Sequence, residues 1–435
     1  MIKKLLIVFI ALVSMQFYAQ QGTASPYSYY GIGTLKFKGT VENRSMGGLS
    51  IYNDSIHINL RNPASYGGYN LNALKYGNES RPVSFNIGGT NTHTNIKSDY
   101  AEGKNSATSI DYLAISIPAG KLGFGFGLVP YSSVGYKLDD YNEDGDIINR
   151  FTGEGGLNKV YFSMGYQLTK SFSVGIDAHY NFGNIKNTNI GFQYTNGFIT
   201  QYQTRMNNRS DLNGFSLNLG LIYKTQISEK LELQSGLTYT PESKLKSINE
   251  QSLSTIIINA NTGVQSVVNT IDRDLGELKE TELTIPSKFS LGGGIGQPRK
   301  WFTGIEYTVV KSSNFYNELY DSGDGKVYDD GSTLSIGGFY IPDYNAFSGY
   351  WKRIVYRAGL RFENTGLMAN DRTIRDFGIS FGLGLPMGDT FSSANVGFEF
   401  GKRGTTQDNL VQENYINIMI SLSLTDRWFQ KKKYY

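Results

Sequence analysis

Three histidines (His57, His93 and His179) and no cysteine are what the 435-residue chain offers to nucleophilic or soft-metal chemistry. Thiol chemistry and cysteine-ligated metals are therefore excluded, and no histidine stands in a recognisable nucleophile arrangement, so the chain is not expected to be an enzyme. Two other clusters have residue types suited to binding. Asp140, Asn142 and Asp144, in Asp140-Tyr141-Asn142-Glu143-Asp144-Gly145-Asp146, follow the first half of a calcium loop, but Phe151 stands where the closing glutamate belongs. An acidic loop tip in solvent is the plainer reading. Arg353, Arg357 and Arg361 recur every fourth residue, which puts them on one face of a strand. Such a ladder could grip a carboxylate or another anionic head group, or pair with acids such as Glu306 and Glu399 and stiffen the wall.

The elements that must hold these residues are strands. Runs such as Phe215, Leu217, Leu219, Leu221 and Tyr223 alternate with Ser216, Asn218, Gly220 and Lys224; Ile416, Ile418, Ile420, Leu422 and Leu424 alternate with Asn417, Met419, Ser421 and Ser423. One greasy and one polar face over about 10 residues is what a lipid-facing barrel strand requires. Gly 51, Tyr 31 and Phe 25 against Pro 10 favour many aromatic-ended strands over a helical domain. Short turns near Ala119-Gly120-Lys121, Thr169-Lys170-Ser171, Ser228-Glu229-Lys230, Gln297-Pro298, Ile341 and Met387-Gly388 alternate with long polar connections near 91–107, 138–157, 184–212, 240–283, 311–333, 363–373 and 402–413. Six short and seven long connections make a 14-stranded transmembrane antiparallel β-barrel, all-β, with both termini on the short-turn, periplasmic side.

Met1-Ile2-Lys3-Lys4 followed by an uncharged run from Leu5 to Val13 and by Ala19 reads as a signal peptide over 1–19. The expected divisions are then 20–80, an N-terminal segment; 81–429, the barrel; and 430–435, a basic aromatic tail. A net charge of +3 with scattered signs gives no footprint for nucleic acid.

Gly47-Gly48, Asn53-Asp54-Ser55 and Asn62-Pro63-Ala64, placed before fourteen strands, resemble the FadL/TodX family of outer-membrane transporters for hydrophobic compounds. The resemblance covers the mature chain. It implies that Gly47, Gly48, Asn62, Pro63 and Ala64 belong to a hatch that plugs the lumen, and that the third strand is kinked with a lateral gap. In that strand Gly123, Gly125 and Gly127 share the lumen face and Pro130 follows, which fits either a gap or plain room for the plug. The implied function is passage of a small, fatty-acid-like hydrophobic molecule with lateral release, in a Gram-negative outer membrane, among outer-membrane lipids and without a cofactor. Some members of the family act as scaffolds or carriers in envelope complexes. The 240–283 connection and the tail Lys431-Lys432-Lys433-Tyr434-Tyr435 fit that alternative, in which the chain is a subunit of a secretion or assembly machine.

Overall fold

A computed structural model describes residues 22–54, 56–68, 82–259, 262–317, 327–387 and 392–426. The expected signal segment and C-terminal tail lie outside these residues. Fourteen antiparallel wall strands form a closed barrel. They are β1 (Val83–Lys97), β2 (Glu102–Ala119), β3 (Leu122–Pro130, continued by Ser132–Tyr141), β4 (Ile147–Gln167), β5 (Phe172–Gly191), β6 (Gln203–Gln226), β7 (Glu232–Thr240, continued by Ser243–Ile258), β8 (Glu280–Ile285, continued by Lys288–Gln297), β9 (Trp301–Val310), β10 (Gly331–Tyr340), β11 (Val355–Ala369), β12 (Arg372–Met387), β13 (Ser392–Gly404) and β14 (Gln412–Asp426). The seam joins first strand to last, from Val83↔Asp426 to Lys97↔Gln412.

Side-chain alternation decides which face each residue takes. On β14, Ile416, Ile420 and Leu424 are exposed outward while Tyr415, Asn417 and Met419 are buried inside. One strand changes phase. Between Gly88 and Gly89 of β1 the register with β2 shifts so that Asp111 has no partner, and a bulge of this kind re-aims the residue it contains. Ile110 and Leu113, three apart, therefore both face out.

Most of the polar stretches expected as long loops are strand. β5 and β6 pair without interruption from Gly191↔Thr204 to Phe172↔Tyr223, so that of the span read as a connection only 192–203 lies outside their ladder. A backbone ladder does not need apolar side chains where both faces meet water. β6 has 24 residues, about 80 Å at ~3.3 Å per residue, against an apolar band of roughly 25 Å in a membrane barrel. The wall thus continues well past its greasy belt at the end bearing the longer connections. There a hairpin strand, Gln265–Asp272, folds back on β7 and is exposed along its whole length.

The lumen is a packed core. Ile32 of the N-terminal segment sits among Val134, Leu157, Ile185, Leu212 and Leu283 of the wall. Val41, Ile58, Leu60 and Tyr66 pack on Tyr112 and Met419, and Met46, Leu49 and Ile51 on Phe302 and Phe339. Every one of these clusters needs both the wall and the segment inside it.

Candidate functional site

The N-terminal segment runs through the barrel from end to end. Its Tyr27 hydroxyl donates to the Val411 carbonyl beside the start of β14, at the long-connection end. Gly68, at the other extreme, donates its N–H to the Lys121 carbonyl at 3.1 Å, in the short turn between β2 and β3. The segment that the sequence led one to expect inside the lumen thus traverses its length.

Local chemistry explains its irregular course. Thr40 caps a single helical turn, Val41–Arg44, by exchanging hydrogen bonds with Asn43, and the turn delivers Arg44 to the wall. Gly47 follows with φ of +70°, and a Cβ there would lie 2.5 Å from the Leu360 carbonyl of β11. Only glycine satisfies both the backbone angle and the approach. Asn62 caps the turn Pro63–Tyr66 through its Oδ1, which accepts from the Ala64 N–H at 3.1 Å, while its Nδ2 donates to the Leu221 carbonyl at 3.1 Å. Asn62-Pro63-Ala64 thereby docks on strands β4 to β7. A Cβ on Gly175 would come within 2.3 Å of the Pro63 carbonyl carbon, so the wall is glycine where the motif lies against it.

Charged groups bind the segment to two separate strands of the wall. Arg44 meets Glu399 of β13 at 2.7 Å, and Arg61 meets Glu306 of β9 at 2.7 Å. Glu306 also accepts from the Ser50 N–H at 2.7 Å, and Asn395 donates to Glu42 at 2.8 Å. Glu306 and Glu399 are buried, and their charge is tolerable because each is ion-paired and hydrogen-bonded; Glu42, also buried, has the Asn395 amide on Oε1 and no hydrogen-bond partner on Oε2. Within the segment, His57 Nδ1 lies 2.7 Å from Asp54 Oδ2. Burial alone would lower the His57 pKa, but the adjacent Asp54 carboxylate outweighs it and the value is raised. Asp54, although buried, is held well below the usual carboxylate range by His57.

The third strand breaks where Pro130 ends its first half. That half, which contains Gly123, Gly125 and Gly127, is paired on both sides: to β2 from Ala119↔Leu122 to Leu113↔Leu128, and to β4 from Tyr166↔Leu122 to Asn158↔Pro130. The glycines receive Tyr66: a Cβ on Gly123 would meet its carbonyl oxygen at 1.9 Å, and one on Gly125 its ring at 2.4 Å. The interruption lies farther along. The second half of β3 pairs with β4 and with a two-residue strand of the N-terminal segment, Thr34↔Ser133 and Leu35↔Ser132. Among the described residues no ladder joins β3 to residues 102–112 of β2, so the backbone hydrogen bonding of the wall is interrupted there.

The other sequence candidates divide. Arg361 reaches the lumen and is saturated, contacting Asp376 at 3.2 Å and Glu399 at 3.0 Å as well as Glu363. Arg357 is buried and donates to Asn395 at 3.1 Å. Arg353 does not join them: it ends the turn Tyr350–Arg353 before β11 begins, with its guanidinium over the Tyr350 ring. The arginine ladder therefore has two rungs, both tied to wall side chains. Asp140 and Asp144 are exposed, and the Asn142 side chain accepts from the Asp146 N–H at 2.8 Å, closing a turn. No three His, Cys, Asp or Glu side chains converge to hold a metal among the described residues. His179 is buried with Nε2 3.5 Å from Lys38 Nζ, and His93 is exposed on β1. Arg44, Arg61 and Tyr66 escaped the sequence reading: an arginine in an irregular segment carries no mark of the strand that will pair with it.

A family model described as BamG matches residues 1–435. No curated protein matches. Solved structures do. The toluene transporter TodX of Pseudomonas putida superimposes with a TM-score of 0.59 at 16% identity, over 91% of this chain and 100% of that one. The monoaromatic hydrocarbon channel CymD gives 0.56 at 14%, over 92% and 100%. A FadL homologue of Pseudomonas aeruginosa gives 0.57 at 12%, over 90% and 98%. At these identities the likeness is one of fold.

Proposed function

We propose, from the premise that this chain belongs to the BamG family, that it is a plugged outer-membrane barrel working as a protein-binding subunit of an outer-membrane assembly machine. The observation that carries the reading is the lumen. The segment inside is ion-paired to two separate wall strands through Arg44–Glu399 and Arg61–Glu306 and is packed into the same apolar clusters as the wall. Moving it would unpair buried charges and open that core, each at a cost of several kcal/mol. A barrel filled in this way acts through its surfaces. The strand ends that project beyond the greasy belt supply one such surface, and the short-turn end, assigned to the periplasm, supplies another. The family's name points in the same direction, toward assembly.

The test is depletion combined with purification. Solubilised gently from native membranes, the full chain is expected to come out bound to the machinery that inserts other barrels, and its depletion is expected to lower the amount of folded barrels in the membrane. Recovery of the barrel alone, with normal levels of other barrels on depletion, would overturn the reading.

A second reading rests on a different observation, the interrupted ladder beyond Pro130. In a fold shared with a toluene transporter, an opening there would let a small hydrophobic compound leave the lumen for the outer leaflet. Here the N-terminal segment is the hatch, and its Thr34–Leu35 pairing with Ser133 and Ser132 of β3 borders the opening. Uptake of labelled toluene and of a long-chain fatty acid by cells with and without the protein separates the two: a loss of uptake with other barrels intact favours the channel.

A further inference from the structure

A groove of about 460 Å³ crosses the outer face of the wall from β9 to β13. One row of the sheet makes its floor. Tyr307 pairs with Leu334, Leu334 with Phe362, Phe362 with Phe377 and Phe377 with Lys402, so these side chains stand abreast on the face that looks away from the lumen. The Phe362 and Phe377 rings touch, with centroids 4.9 Å apart. This row is also a border. The next row toward the short turns, from Ile305 and Ile336 through Leu360 and Ile379 to Phe400, is wholly apolar. In the next row toward the long connections Ser332, Asn364 and Arg375 stand in register, and the face turns polar. A membrane barrel places its aromatic residues at such a border, level with the lipid head groups.

Two cations stand at the polar margin of the groove. Arg375 and Lys402 are both exposed, and neither has an ion pair or side-chain hydrogen bond among the described residues. Lys402 is the cross-strand partner of Phe377, and Arg375 precedes Phe377 by two positions on the same face. Diagonal neighbours of this kind lie about 7–8 Å apart, near enough for two long side chains to close on one group. Two acids also border the groove, Glu363 and Asp376. Both are spent on the lumen side: Asp376 is held by Arg361 at 3.2 Å and by Arg403 at 2.8 Å, and Glu363 pairs with Arg361. The outer face is therefore left with two positive charges that no bordering carboxylate answers.

We propose that this groove seats a phosphorylated, acylated glycolipid of the outer leaflet, with its acyl chains along the apolar rows and a phosphate between Arg375 and Lys402. A phosphate monoester carries about −1.5 to −2 charges at neutral pH, which two cations match, whereas the diester of an ordinary phospholipid carries one. Arg375 can take two phosphate oxygens with its planar fork, and Lys402 adds a point charge from a stem that lies along the apolar floor. A neutral lipid would leave both cations unanswered, and a free phosphate would leave the aromatic row without a partner. The site depends on neither functional reading above. It rests on the short turns being periplasmic, which puts the groove in the outer leaflet.

The test is native mass spectrometry of the full chain, purified in octyl tetraoxyethylene and mixed with a phosphorylated lipid A, with the same lipid A after phosphatase treatment, or with phosphatidylglycerol. One retained lipid A per barrel is expected, and the other two lipids should bind about tenfold more weakly. Arg375→Gln combined with Lys402→Gln should lower lipid A occupancy about tenfold, to the level of the dephosphorylated form. Ser332→Trp, which sets an indole in the groove, should lower it as well. No retained lipid A, equal retention of the dephosphorylated lipid or of phosphatidylglycerol, or occupancy that the variants leave unchanged overturns the proposal. Heat-modified gel mobility verifies folding; if Ser332→Trp does not fold, the double variant, which alters only exposed side chains, decides. Asp144→Cys tests the orientation separately. Its labelling by an impermeant maleimide on intact cells is expected, and protection there would put the groove in the inner leaflet and overturn the glycolipid as occupant.

Discussion

Arg61 of the lumen segment lies 2.7 Å from Glu306 of β9, and the same carboxylate receives the Ser50 N–H at 2.7 Å. One wall residue thus holds two points of the segment that are eleven positions apart. Arg61 also donates to the Gly48 carbonyl at 2.6 Å, so the pair closes an internal loop of the segment onto the barrel.

Glu306→Gln should therefore loosen the segment. It leaves Arg61 buried without its counter-charge, and breaking one side of a buried pair costs about 3–5 kcal/mol. The Gly48 contact places the expected loss near the lower figure. Limited trypsin digestion in detergent should cut at Arg44 and Arg61 faster than in the parent, while the wall stays resistant. Unchanged cleavage would mean that the ion pair does not hold the segment.

The glycine lining makes a second, position-specific expectation. Gly175→Val sets a side chain against the backbone of Pro63, where even the Cβ lies at 2.3 Å. Overpacking of this kind costs about 1–3 kcal/mol or more. Gly103→Ala, with nothing within 4 Å of its new Cβ, should be neutral. Thermal unfolding followed by gel mobility compares the two, and equal midpoints would refute the contact.

Asp54 and His57 make the segment's docking depend on pH. The His57 pKa is raised by Asp54, so its stabilising contribution is complete below the ordinary histidine value of 6.5 and fades as pH rises through the raised one. Asp54 is depressed, so its contribution is complete above 3.8 and fades only as pH falls through the lowered value. Between these limits the pair is strongest. Trypsin release of the segment should accelerate from mildly acidic to alkaline pH, and Asp54→Asn should flatten that slope. A slope unchanged in Asp54→Asn would place its origin elsewhere.

The missing ladder between β2 and the second half of β3 predicts a boundary within one strand. Residues 102–112 of β2 have a ladder on the β1 side only, whereas 113–116 are paired on both sides. Amide hydrogen exchange followed by mass spectrometry should show 102–112 exchanging well ahead of 113–116. Uniform protection along β2 would mean that β3 closes against it in solution.

Much of the wall was legible because burial on one face imposes a period of two, as in Ile416 to Leu424, and because turns carry their own residue chemistry. What could not be read has physical reasons. The bulge at Asp111 adds a residue without any special side chain, so the phase change between Ile110 and Leu113 has no mark in the pattern. Polar strand ends such as 203–212 look like loops, since the ladder that makes them strands lies in the neighbour's backbone. Gly123 and Gly125 announced space on the lumen face, but not that Tyr66 would occupy it, and the fourfold spacing of the arginines ran past the start of β11 at Arg353. Pairings such as Arg44–Glu399 join residues 355 apart, a relation set by closure of the barrel.

The path of the N-terminal segment constrains the order in which the molecule can be made. It is synthesised first, passes along the axis from the Val411 end to the Lys121 end, and the seam between β1 and β14 needs the last strand to be made. A wall that zipped shut empty would then have to thread a length of chain bearing Arg44, Arg61 and Glu42 through a closed ring of fourteen strands. The simpler route is for the wall to wind around the segment as a mandrel, so that the seam closes only over a lumen already filled. The plug would then serve as a template for closure before it serves as anything else.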